Sequence, residues 1–171
     1  MLRIREAGIN DIDSVNTILY KSWKSAYRGI IADEYLDHLP ADYWIGFINT
    51  GIRTGSIFVL LLESEEELIG TAILRAAEQT GEAGLISFYL RPDQIGRGNG
   101  HVFYELIETK LLSRGYKSCI LDVLEDNRRA IRFYHSHQFN DTGRTTDTVL
   151  GNHTYTCKIL EKKFSLPGDI N

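Results

Sequence analysis

The chain has 171 residues, 43% of them hydrophobic and 25% charged, with a formal net charge of −4. At that length one domain buries about 70% of the surface its unfolded chain would expose, so no metal or disulfide staple is needed. The acidic balance, with no Lys/Arg run beyond pairs such as Lys162-Lys163, argues against nucleic acid as a partner, and the longest apolar run, Ile57 to Leu62, is too short to span a membrane.

Leu2 to Arg5 alternates apolar and charged residues as a half-buried edge strand does. This charged start contains no apolar signal core, which predicts a cytoplasmic protein. Asn10 is placed to cap a helix with Asp11 and Asp13 in its first turn and a stripe of Ile12, Val15, Ile18, Leu19, Trp23 and Ala26 at helical spacing. Gly29 ends that helix, Asp33 caps a second short one carrying Tyr35, Leu36 and Leu39, and a third helical piece is expected around residues 43–52. Ser56 to Glu63 and Leu68 to Arg75, parted by Glu65-Glu66-Glu67, read as an antiparallel hairpin.

Leu85 to Leu90 forms a further strand, followed by the run Gly96-Arg97-Gly98-Asn99-Gly100 and a helix from His101 to Arg114, which Gly115 terminates. Val102, Phe103, Leu106, Ile107 and Leu111 give that helix its apolar face. Ser118 to Leu124 reads as a buried strand, Asn127 as the cap of a helix from Arg128 to His137, Asn140 to His153 as turn-rich, and Tyr155 to Leu160 as the last strand. Strand, glycine loop, helix and strand make a βαβ unit, whose two strands must run parallel. The expected fold is therefore a single α/β domain over residues 1–164, with a frayed tail at 165–171. Its mixed central sheet is antiparallel in the first half, parallel around the glycine loop, and flanked by about four helices.

Cys119 and Cys157 lie in apolar, strand-like segments and read as buried free thiols. His135 and His137, two apart on a helix, point to different sides, and no metal site is expected.

The glycine run carries the chemistry. Glycines let the backbone approach a ligand and present several N–H groups together, and a helix opening there adds partial positive charge, so a diphosphate is the natural guest. The dinucleotide fingerprint G-x-G-x-x-G does not fit, because the spacing here is G-x-G-x-G and His101 stands where the third glycine belongs.

Arg91-Pro92-Asp93-Gln94-Ile95-Gly96-Arg97-Gly98-Asn99-Gly100 instead resembles the acyl-CoA pyrophosphate loop of the GCN5-related N-acetyltransferases. Downstream, Asn127-Arg128-Arg129-Ala130-Ile131-Arg132-Phe133-Tyr134 followed by Phe139 is similar to that family's later motif, and Trp23 to Gly29 resembles the first helix of one of its subgroups. Two departures stand out: Ile95 replaces the usual Arg or Gln at the head of the loop, and Gln138 replaces a glycine after the tyrosine helix.

The resemblance implies an acetyltransferase that passes an acetyl group from acetyl-CoA to a primary amine by direct attack. It assigns cofactor contacts to Ile95 through His101 and to Asn127, with Phe88 and Leu90 offering backbone groups. It makes Tyr134 the acid that protonates the leaving thiolate and puts Tyr27 and Tyr35 near the acceptor. An amine of pKa near 10.4 is only about one part in 10³ neutral at pH 7, so a base is expected. Gly84 occupies the place where many relatives carry a glutamate; Glu82, two residues earlier and on the same strand face, is the candidate base, with Asp122, Glu125 and Asp126 as the others. A homodimer is compatible with this reading, and a CoA-binding regulatory module without turnover is the rival to it.

Overall fold

In the computed structural model, which describes residues 1–65, 67–76 and 80–165, strand alternation sorts the side chains into two layers. Along β2 (Ile57–Ser64), Leu60 and Leu62 enter one core, while Val59 and Leu61 enter another on the opposite face. Among the described residues seven strands share one sheet in the order β1-β2-β3-β4-β5-β7-β6. Here β1 is Leu2–Glu6, β3 Glu67–Arg75, β4 Glu82–Leu90, β5 Ser118–Leu124, β6 Asn140–Leu150 and β7 His153–Lys163. All neighbours are antiparallel except β4 and β5. The expected edge strand, hairpin and parallel pair are thus all present.

Among the described residues five helices flank the sheet, in line with the expected handful. α1 (Ile12–Ala26) and α3 (Ile45–Thr54) lie on the face with Val59, Leu61 and Ile73, and α2 (Asp33–Asp37) seals a small cluster around Leu36 and Cys157. α4 (Asn99–Ser113) and α5 (Arg128–Ser136) lie on the other face. In α4, Phe103, Tyr104, Ile107 and Leu111 are buried, while Val102, expected on that face, is exposed.

Some boundaries moved. A 3₁₀ turn, Ile9–Asp11, precedes α1, and Asp11 rather than Asn10 occupies the cap position, its carboxylate accepting from the Gly8 amide at 2.8 Å. The stretch expected to be turn-rich is the long strand β6. It pairs with β7 through a register shift between Asp141 and Thr145, and its mostly exposed Thr and Asp side chains hide the alternation by which a half-buried strand is recognised. Cys119 and Cys157 are buried and unpaired by disulfide. Apart from Ser165, the expected frayed tail lies outside the described residues. No described helix is long and apolar enough to cross a membrane.

Two irregularities position the site. The β4–β5 ladder holds only Glu82↔Ser118, Ala83↔Cys119 and Gly84↔Ile120, after which the strands part. In β4 the register against β3 jumps from Ile73↔Ser87 to Leu74↔Leu85, leaving Ile86 as a bulged residue that bends the strand where the seam opens. The bulge also changes which residues share a face. Ala83 and Leu85 join the core under α4, and so do Phe88 and Leu90 beyond it.

Candidate active site

At the end of β4, the Arg91 N–H donates to Ile69 of β3 at 2.8 Å. Main-chain groups alternate sides along a strand, so those of Leu90 and Phe88 face away from β3 and into the seam. The Leu90 carbonyl accepts from Ser22 Oγ of α1 at 2.9 Å, leaving the Leu90 amide and both Phe88 groups along the open edge. Phe88 itself is half-buried, its ring stacked between Phe103 at 5.2 Å and Phe133 at 5.5 Å.

The glycine run then opens α4. Gly96 and Gly98 both have φ of +81°, and a Cβ at either would meet no atom within 4 Å, so it is backbone direction rather than crowding that calls for glycine. Among the described residues the amides of Gly96 through Gly100 donate to no protein acceptor. Five free N–H groups at the start of a fifteen-residue helix form an anion cradle. A diphosphate fits it.

The missing loop-head polar side chain has a structural reason. Ile95 packs against the main core, anchoring the loop. Gln94 does not replace it at the ligand, because it is tied internally: its Nε2 donates to Asp93 at 2.9 Å and its Oε1 accepts from Asn99 Nδ2 at 3.2 Å. Arg97 is exposed beside the cradle, and His101 turns toward α5, where its Nδ1 lies 2.9 Å from His137 Nε2.

α5 is capped by Asn127, whose Oδ1 accepts the Ala130 amide at 3.1 Å, leaving its NH₂ free to donate. Tyr134 is half-buried, packed edge-on against Phe133 and Phe139, and its hydroxyl has no partner among the described residues. Burial holds that phenol well above its usual range, and the neighbouring Tyr27 phenol pushes it further in the same direction.

Through the seam, Tyr134 meets two phenols of the opposite layer. Tyr27 at the end of α1 and Tyr89 of β4 hydrogen-bond to each other at 2.8 Å, and burial pushes both upward, so all three are neutral donors at physiological pH. Tyr89 was missed in the sequence because only the fold brings residues 27, 89 and 134 together.

On that side lies a cleft of about 650 Å³. One wall is aromatic, with Trp23, Tyr27, Tyr43, Trp44 and Tyr89; the other, from β5, β6 and β7, carries Asp122, Asp147 and Cys157. Tyr35 stands behind the wall, its hydroxyl donating to Tyr43 at 3.4 Å and its pKa pushed up to about 12, chiefly by burial.

The structure does not bring Glu82 to this cleft. It pairs with Ser118 at the closed end of the seam, four residues before Ile86, or roughly 13 Å along the strand. Over Gly84, the Arg75 side chain lies 3.2 Å from where a Cβ would sit. No group of three or more His, Cys, Asp or Glu among the described residues is placed to hold a metal ion.

A split mixed sheet with free loop amides opening a helix on one layer and an aromatic cleft on the other is the layout expected of an acyl-CoA-dependent transferase. Residues 17–139 match the acetyltransferase (GNAT) family model, and the chain belongs to that family. It is 25% identical over 143 residues to the spermidine N(1)-acetyltransferase of Thermoplasma acidophilum, covering 81% of this chain and 88% of that protein. The crystal structure of the PaiA N-acetyltransferase from Thermoplasma acidophilum in complex with coenzyme A superposes with a TM-score of 0.76 at 25% identity, over 96% of this chain and 99% of that one. The spermidine/spermine N-acetyltransferase SpeG of Vibrio cholerae, at 15% identity and TM-score 0.73 over 95% of each chain, shares the fold. The activity is acetyl transfer from acetyl-CoA to an amine.

Proposed function

We propose that the acceptor is a cationic primary amine, attacked onto the thioester directly in the seam between β4 and β5, with Tyr134 as the acid. The observation that carries this reading is the partnerless Tyr134 hydroxyl, held at the open seam opposite a cleft whose walls are aromatic and acidic. Acetyl-CoA supplies the activated carbonyl and the thiolate leaving group. The amides of Gly96 to Gly100 hold its diphosphate, the open edge at Phe88 and Leu90 orients the acyl arm, and the free Asn127 NH₂ donates to it. Burial keeps the phenol protonated at working pH, so its proton is in place to hydrogen-bond and then quench the departing thiolate as the C–S bond breaks, although the same burial makes it a weaker acid than a thiol of pKa near 8.5.

Aromatic faces and carboxylates both favour a cation, and Tyr27 stands at their junction with Tyr35 bracing Tyr43 behind. The relative named for spermidine supports an acceptor of the polyamine type. The protein works in the cytoplasm, without nucleic acid or membrane; β6 is an edge strand of the sheet, and size-exclusion chromatography decides between monomer and homodimer.

The test is thiol release from acetyl-CoA over a panel of polyamines, aminoglycosides, amino acids and peptide N-termini. Polyamines should turn over fastest, and Tyr134→Phe should lower kcat by roughly 10²-fold with acetyl-CoA affinity little changed. Equal kcat in the variant would remove the acid role, and preference for an anionic or neutral acceptor would remove the acceptor class.

A further inference from the structure

Asp122 is the acid that the seam leaves facing the acceptor. In β5 the apolar residues Cys119, Leu121 and Val123 point into the core beneath α4 and α5, so the alternation turns Asp122 and Leu124 to the cleft side. The last rung joining β4 to β5 is Gly84↔Ile120, so Asp122 is the first cleft-facing residue beyond the point where the strands part. Across the opening stands the bulge of β4, with Ile86, Ser87 and Tyr89 on the cleft lining. Asp122 is exposed and makes no hydrogen bond or ion pair with any described side chain, whereas Asp147, on the same wall, already accepts from Thr156 Oγ1 at 3.1 Å.

We infer that Asp122 binds the reacting ammonium of the acceptor and takes its proton, doing from β5 what a carboxylate on β4 cannot do here. At Gly84 there is no side chain and Arg75 covers the position, and Glu82 lies at the closed end of the seam. The inference rests on the proposed transfer to a cationic amine. In the step, the ammonium gives one proton to the Asp122 carboxylate and the freed nitrogen lone pair forms the N–C bond. Collapse breaks the C–S bond, the departing thiolate takes the Tyr134 proton, and the nitrogen sheds its second proton to solvent. The carboxyl proton of Asp122 and the phenolate of Tyr134 then cancel through the water of the open cleft, restoring both groups.

The titratable groups facing Asp122 are Tyr27 from α1, Tyr43 before α3, Tyr89 from β4, Asp147 from β6 and Cys157 from β7, with Glu125 just beyond β5. Burial pushes the Tyr27 and Tyr89 phenols up and keeps them neutral, and burial together with Asp122, Asp147 and Glu125 raises the Cys157 thiol. Asp122 is therefore the free carboxylate nearest the seam.

The experiment compares wild type, Asp122→Asn, Asp122→Glu and Asp147→Asn in steady-state acetylation of spermidine between pH 6 and 10, with acetyl-CoA affinity by calorimetry as the check on folding. Asp122→Asn should lose at least 50-fold in kcat/KM at pH 7 while binding acetyl-CoA as wild type does. Its kcat/KM should climb tenfold per pH unit up to the amine pKa, because only pre-deprotonated amine then reacts. Asp122→Glu should restore part of the rate and Asp147→Asn should fall less than tenfold. An Asp122→Asn profile parallel to wild type, or a larger loss from Asp147→Asn, would overturn the assignment while leaving the acetyltransfer reading intact. Wild type that binds acetyl-CoA but acetylates no cationic amine would overturn that reading, and this one with it.

Discussion

Gln138 shows how much one residue can say. It ends α5 at φ +68°, the left-handed conformation a glycine would adopt freely, and the surrounding bonds are complete: Gln138 N–H to His135 at 3.0 Å and Phe139 N–H to Tyr134 at 3.1 Å. The departure from the family pattern is thus absorbed as backbone strain and leaves Tyr134 in place. Gln138→Gly should stabilise the protein by about 1 kcal/mol, read as a higher denaturation midpoint, with kcat unchanged. The Asn127 cap and the glycine turn were legible in the sequence because each is a short local pattern, whereas Tyr134 was singled out only through the resemblance of its motif to the family's. The Tyr27–Tyr89 bond joins residues 62 apart, and no local pattern carries it.

At the scale of elements, the bulge at Ile86 explains why strand parity alone misleads. Counting by twos from Leu90 back to Glu82 crosses an inserted residue, so a face assigned on one side of Ile86 does not continue on the other. The strand itself was foreseen; its kink was not, because Leu85-Ile86-Ser87 carries no glycine or proline to mark it. The turn-like reading of β6 failed for a related reason, since a strand exposed on most of its length shows no apolar alternation. Packing at the seam is also tight from behind. A Cβ at Gly70 of β3 would stand 2.7 Å from Leu90 Cδ2 and 3.2 Å from both Phe103 Cε1 and the Tyr89 carbonyl. Gly70→Ala should therefore cost about 1–3 kcal/mol in a urea titration and weaken acetyl-CoA binding by displacing Leu90.

Across the whole molecule, β1 is pinned by charge. Arg5 bridges Asp11, at 2.8 Å through each of its two terminal nitrogens, and Glu63 at 2.7 Å; Arg3 adds a second bond to Glu63 at 3.0 Å. Hydrogen bonds from Arg5 hold both carboxyls below their ordinary values of 3.8 and 4.5. A folded pKa below the unfolded one means that the stabilisation is fully present above about pH 4.5 and is lost as pH falls through the lower folded values. The urea midpoint should therefore hold from pH 7 to 5 and drop below pH 4, and Asp11→Asn with Glu63→Gln should flatten that drop.

On the proposed function the same sheet separates two jobs. The cradle of α4 and α5 and the cleft of α1 to α3 and β6 occupy opposite layers, and they communicate through a seam held by only three rungs. A substitution that reshapes the acceptor wall therefore need not disturb a single donor contact, and the reverse also holds. In evolutionary terms such a chain can exchange one amine for another while its acyl donor stays the same, and in the laboratory its specificity can be redesigned from one side without rebuilding the other.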